Sequence, residues 1–98
     1  MRGFIASAAT AHMLDVIARE EEEQRRKKNE IAIILTQLTP REREVAGLLA
    51  KGLPYVQIGK RLDISPHTVH FHVSNLLFKV GTERQTGIVA FAIKAGLA

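Results

Sequence analysis

Tyr55-Val-Gln-Ile-Gly-Lys-Arg-Leu-Asp63 runs straight into Ile64-Ser-Pro-His-Thr-Val-His-Phe-His72, and the join between the two segments decides the fold. Gly59 is a small residue placed where two helices must approach closely. Asp63 falls in the turn, where a left-handed backbone is wanted and Asp tolerates it better than most residues. Ser65-Pro66 then supplies an N-cap and a first-turn proline for the second helix. Val69 is placed to lock that helix against the first. A turn this short between two helices is the sequence form of a DNA-reading helix-turn-helix.

Outward from this unit, the C-terminal part reads as four helices. The first takes Thr39 as N-cap, Pro40 at its first position and Glu42 three residues after the cap, a capping box. It turns Val45, Leu48 and Leu49 inward and stops at Gly52. The second runs from about Pro54 to Leu62, with Ile58 and Leu62 buried. The third follows Ser65 and ends at Gly81. The fourth spans about Arg84 to Ala95, with Ile88, Val89, Ala92 and Ile93 apolar. Gly87 inside it costs about 1 kcal/mol relative to Ala, which calls for close packing or a later start.

Residues 1–10 lack periodicity and read as frayed. Arg2 followed by Phe4-Ile-Ala-Ser-Ala-Ala is too short and weakly apolar for a secretory signal. From about Ala11 to Leu38 neither Pro nor Gly interrupts a long helix. Its middle sets Glu21 to Arg25, Glu22 to Arg26 and Glu23 to Lys27 at i,i+4, acid before base. A heptad seam runs through Leu14, Ile17, Glu21, Gln24, Lys28, Ile31, Leu35 and Leu38. Its three central positions are polar, which argues against a continuous coiled coil and for a solvated linker helix with apolar ends. A dimerisation helix is the alternative.

The charge divides unevenly. Residues 1–38 hold six basic and six acidic side chains, whereas residues 39–98 hold eight basic and four acidic ones. The whole net charge of +4, with three of the four histidines, thus lies on the helix-turn-helix half. That asymmetry favours a polyanionic partner. Without cysteine there is neither a disulfide framework nor a thiolate metal site, which suits the cytoplasm. No apolar run reaches membrane-spanning length. No nucleophile motif, phosphate-cradling glycine loop or separated carboxylate pair supports an enzyme, and no cofactor is implied.

On the third helix Val69, Val73, Leu76, Leu77 and Val80 form one apolar stripe that must face the core. His67, Thr68, His70, Phe71, Ser74, Asn75 and Phe78 remain outside. Two rings and two imidazoles on an exposed face suit a major groove, where donors and acceptors meet base edges and a ring lies against a thymine methyl. The helix N-terminus and the Thr68 hydroxyl suit a phosphate. Lys60, Arg61 and Lys79 supply further backbone contacts. His72 stands at a core-like position and reads as half-buried, while Phe78 reads as rim packing or a contact with the long helix. His67, His70 and His72 do not make a metal site, because only the first two share a face and no carboxylate or cysteine joins them.

The stretch from Leu38 to Leu97 resembles the C-terminal DNA-binding domain of LuxR/FixJ-type bacterial transcription regulators. The resemblance rests on Leu38-Thr-Pro-Arg-Glu-Arg-Glu-Val45, on Ile64 to His72, on Lys79-Val-Gly81 and on Ala92-Ile-Lys-Ala-Gly-Leu97. It implies a four-helix domain with the third helix in the major groove, bases read at His70, Phe71 and Ser74, and phosphates met around Thr68 and Lys79. It also implies dimerisation through the fourth helix at Val89, Ala92 and Ile93, on two-fold related half-sites. The chain departs from the family at four places. His70 stands where a lysine is common, Gly59 for alanine, Asp63 for glycine and Gln85 for arginine.

The expectation is therefore an all-α protein. Residues 1–37 form a linker or dimerisation helix, and residues 38–98 form a four-helix, helix-turn-helix domain that binds double-stranded DNA as a cytoplasmic transcription regulator. Base contacts are assigned to His70, Phe71 and Ser74. Phosphate contacts are assigned to His67, Thr68, Lys60, Arg61 and Lys79. A homodimer is expected, with RNA polymerase as a further candidate partner. Residues 1–37 are too short for the receiver or ligand-sensing domain such regulators carry, so the chain reads as a stand-alone regulator, a truncated product or an excised fragment. The rival readings are a sigma-factor-like promoter-recognition fragment and a protein-interaction module.

Overall fold

A computed structural model describes residues 7–98; the charged start at Arg2 and most of the segment read as frayed lie outside them. Five helices follow one another: α1 (Ala8–Gln37), α2 (Pro40–Ala50), α3 (Tyr55–Leu62), α4 (Pro66–Val80) and α5 (Gln85–Lys94). None is long and apolar enough to cross a membrane. Contacts divide the chain between Glu30 and Ile31; Ile31, Ile34 and Leu35, at the end of α1, pack against the core of the C-terminal unit.

The described part of the N-terminal unit is the first portion of α1 with its cap Ser7, and no residue of α1 is buried. The helix starts at Ala8, earlier than the periodicity suggested, because the Ser7 hydroxyl accepts the Thr10 amide at 3.1 Å. Its charges pair differently from the i,i+4 expectation. Glu22 meets Arg25 and Glu23 meets Arg26 at i,i+3, Arg26 reaches on to Glu30 and Asp15 meets Arg19 at i,i+4, and of the three expected pairs only Glu23–Lys27 forms, at 4.0 Å.

In the C-terminal unit α2 packs on α4 and α5, and α3 packs on α4. The core is built from Val45, Leu48 and Leu49 of α2, Ile58 of α3, Val69, Val73 and Leu76 of α4, and Ile88, Phe91 and Ala92 of α5. The capping box at Thr39 is present in both directions: the Thr39 hydroxyl accepts the Glu42 amide at 3.1 Å, and Glu42 accepts the Thr39 amide at 2.8 Å. Arg43 donates to the Leu35 carbonyl at 2.5 Å and so closes the last turn of α1. Gly87 is explained by close packing, since a Cβ there would run into the Thr82 side chain.

Candidate nucleic-acid interface

The turn between α3 and α4 aims the candidate reading face. Asp63 caps α3 at φ 57°, ψ 47°, the left-handed conformation that its position in the sequence required. The Ile64 amide donates to the Gly59 carbonyl at 2.9 Å, and a Cβ on Gly59 would lie 2.5 Å from the Ile64 carbonyl oxygen. A Cβ at this position would require the turn to open slightly, so the close approach seen here depends on glycine. Ser65 then starts α4 by accepting the Thr68 amide at 3.0 Å. An open groove of about 430 Å³ follows the turn, bordered by Val56, Lys60, Asp63 and Pro66 among others.

On α4, Val69, Val73 and Leu76 are buried, with Leu77 and Val80 half-buried beside them. His67, His70, Phe71 and Ser74 face outward together, and Lys60 and Arg61 are exposed on the last turn of α3. The His70 ring lies 6.1 Å from the Tyr55 ring, tilted by 57°. Tyr55 in turn accepts a hydrogen bond from the Gln85 amide. Thus Gln85, which replaces a common arginine, ties the start of α5 to the ring beside His70. Phe71 is 59 % exposed and meets the half-buried His72 edge-on at 5.8 Å. The Ser74 hydroxyl donates to the His70 carbonyl at 3.1 Å, which leaves its lone pairs outward. Thr68 is half-buried, and its hydroxyl is hydrogen-bonded to that of Ser65 at 3.0 Å.

Three expectations change. Lys79 does not reach outward: its ammonium donates at 2.7 Å to Glu42, which is 2 % exposed. The Lys79 side chain is 30 % exposed, so the cation that holds Glu42 is only partly withdrawn from the surface. Ala92 is 0 % exposed and belongs to the core, because the inward stripe of α5 is Ile88, Phe91, Ala92. Val89 is half-buried, so of the three assigned interface residues only Ile93 stands exposed. Phe78 packs on no rim; it is 88 % exposed, seven residues beyond Phe71 and on the same side of α4.

Sequence reasoning missed the Tyr55–Gln85 link and the burial of Glu42. The partners are 30 and 37 residues apart, and no local pattern joins them. Among the described residues no cluster of His, Asp or Glu can hold a metal ion.

Residues 36–92 match the family described as "Bacterial regulatory proteins, luxR family". The nitrate/nitrite response regulator protein NarL of Escherichia coli K12 is 50% identical over 46 residues, 47% of this chain and 21% of NarL. The DNA-binding transcriptional activator DevR/DosR of Mycobacterium tuberculosis is 45% identical over 58 residues, 59% of this chain and 27% of its own length. The transcriptional regulatory protein FixJ of Rhizobium meliloti is 37% identical over 68 residues, 69% of this chain and 33% of FixJ. The matched part thus spans between about a fifth and a third of these relatives. No solved structure gives a significant match.

Proposed function

The chain belongs to the luxR family of bacterial regulatory proteins, helix-turn-helix DNA-binding regulators rather than enzymes, and on that premise we propose that α4 lies in the major groove of duplex DNA. The observation that carries this reading is the two-sidedness of α4. One side is buried through Val69, Val73 and Leu76, and the other opens His70, Phe71 and Ser74 together.

In this reading His70 and Ser74 exchange hydrogen bonds with base edges, and the Phe71 ring meets a thymine methyl. His67, the start of α4 at Thr68, and Lys60 and Arg61 on α3 meet phosphates and fix the register. Lys79 is withdrawn from that set. The protein acts as a homodimer on two-fold related half-sites in the cytoplasm, with RNA polymerase as the second partner of a promoter-bound regulator.

The test is base preference. With a site-selected duplex and its single-base variants, Phe71→Ala and Ser74→Ala each lose about 1–3 kcal/mol of discrimination at one position. Retention of both affinity and preference by the two variants contradicts the assignment of this face.

A further inference from the structure

Helix α1 carries a charge pattern that its own chain leaves partly unused. Met13, Leu14 and Ile17 are exposed near its start. Helical periodicity puts Glu20, Glu21, Gln24 and Lys28 on the same stripe as these residues. The neighbouring charges pair within the helix, Glu22 with Arg25, Glu23 with Arg26 and weakly with Lys27, and Glu30 with Arg26. Among the described residues, Glu20, Glu21 and Lys28 enter no ion pair. They are disposed about Gln24 with acids three and four residues before it and Lys27 and Lys28 three and four after.

From this symmetry we infer that α1 is the interaction surface for a second copy of this chain, the two helices running antiparallel about a two-fold axis at Gln24. That register sets Glu20 and Glu21 of one copy beside Lys28 and Lys27 of the other. It also sets Ile17 beside Ile31 and Met13 beside Leu35. Ile31 and Leu35 are half-buried against their own domain. The overlap from residue 13 to residue 35 is about 35 Å long at 1.5 Å per residue. A parallel pair in register would stack the acidic quartet Glu20 to Glu23 on itself, and Arg25 to Lys28 likewise. Like charges held together select against that arrangement. The polar centre that argues against an ordinary parallel coiled coil thus becomes the feature that fixes orientation, with Gln24 meeting Gln24 as the register mark. The inference uses α1 alone and does not depend on which residues of α4 read DNA.

The chain has no cysteine, so introduced thiols report geometry without interference. Glu21→Cys and Lys27→Cys variants of the chain, oxidised mildly without DNA, are expected to crosslink several-fold more when mixed than when alone. Predominant crosslinking within each variant, or none at all, overturns the antiparallel pair. A second pair of variants separates charge pairing from loss of the helix. Glu20→Lys with Glu21→Lys, and Lys27→Glu with Lys28→Glu, should each sediment as monomers, and their mixture should sediment as a dimer. Dimers in either variant alone, or monomers in the mixture, also overturn it.

Discussion

Glu42 sits almost out of water, and two neighbours, Lys79 and Thr39, keep it charged there. Burial alone would push its carboxyl upward. The hydrogen bond from Lys79, the Thr39 amide and the nearby ammonium charge outweigh that and hold it below the ordinary carboxylate range. A depressed folded value means that the stabilisation is present above the unfolded value and is lost as pH falls through the folded one. Thermal unfolding of the wild type between pH 7 and pH 3 should therefore weaken on the acid side, and Glu42→Gln should flatten that limb. Lys79→Met leaves the buried carboxylate short of a partner and should lower stability by about 1–3 kcal/mol. At a temperature where the variant stays folded, its DNA affinity should change little, which distinguishes a structural cation from a phosphate contact. The sequence displayed both ends of this pair, Glu42 as the end of a capping box and Lys79 as a basic residue near the end of a helix. Only the packing of α2 on α4 reveals that they meet.

At the scale of elements, legibility followed local chemistry. Thr39-Pro40, Ser65-Pro66 and Asp63 carry their own boundary signals, and α2 and α4 begin and α3 ends where those signals stand. The start of α1 was harder to read because its cap, Ser7, lies in a run of small residues with no apolar period behind it. On α5 every residue from Ile88 to Ile93 is apolar, so periodicity could not choose the inward stripe, and Phe91 rather than Val89 is inside. Gly47, in the middle of α2, has no local signal of its role, although a Cβ there would collide with the Leu97 carbonyl. The helix-turn-helix joint gives the element-scale prediction. In Gly59→Ala the new methyl group meets backbone, not a flexible side chain, so α3 and α4 must separate slightly. A cost of about 1–3 kcal/mol in chemical denaturation is expected, together with a loss of base discrimination that Gly52→Ala, at an exposed loop, does not show.

For the whole molecule, the division of labour follows the division of charge. The N-terminal stretch balances its acids and bases and leaves an apolar stripe on α1 exposed, while the C-terminal half holds the entire positive excess beside a helix with one open face. The class of partner was legible from that asymmetry together with the turn at Asp63. The list of contacting residues was less so, because whether a lysine is free depends on what folds against it. Lys60 and Arg61 stand exposed beside the turn, whereas Lys79 is occupied. The measurement that tests the central claim most directly is fluorescence anisotropy of the purified chain with a site-selected and a randomised duplex across a salt series. The expected result is tighter binding to the selected duplex, with the logarithm of affinity falling linearly with the logarithm of salt concentration. The slope for double-stranded DNA should match a few phosphate contacts per chain, at about 0.9 per phosphate. Binding that ignores salt, or equal affinity for both duplexes, would contradict a sequence-reading role for α4.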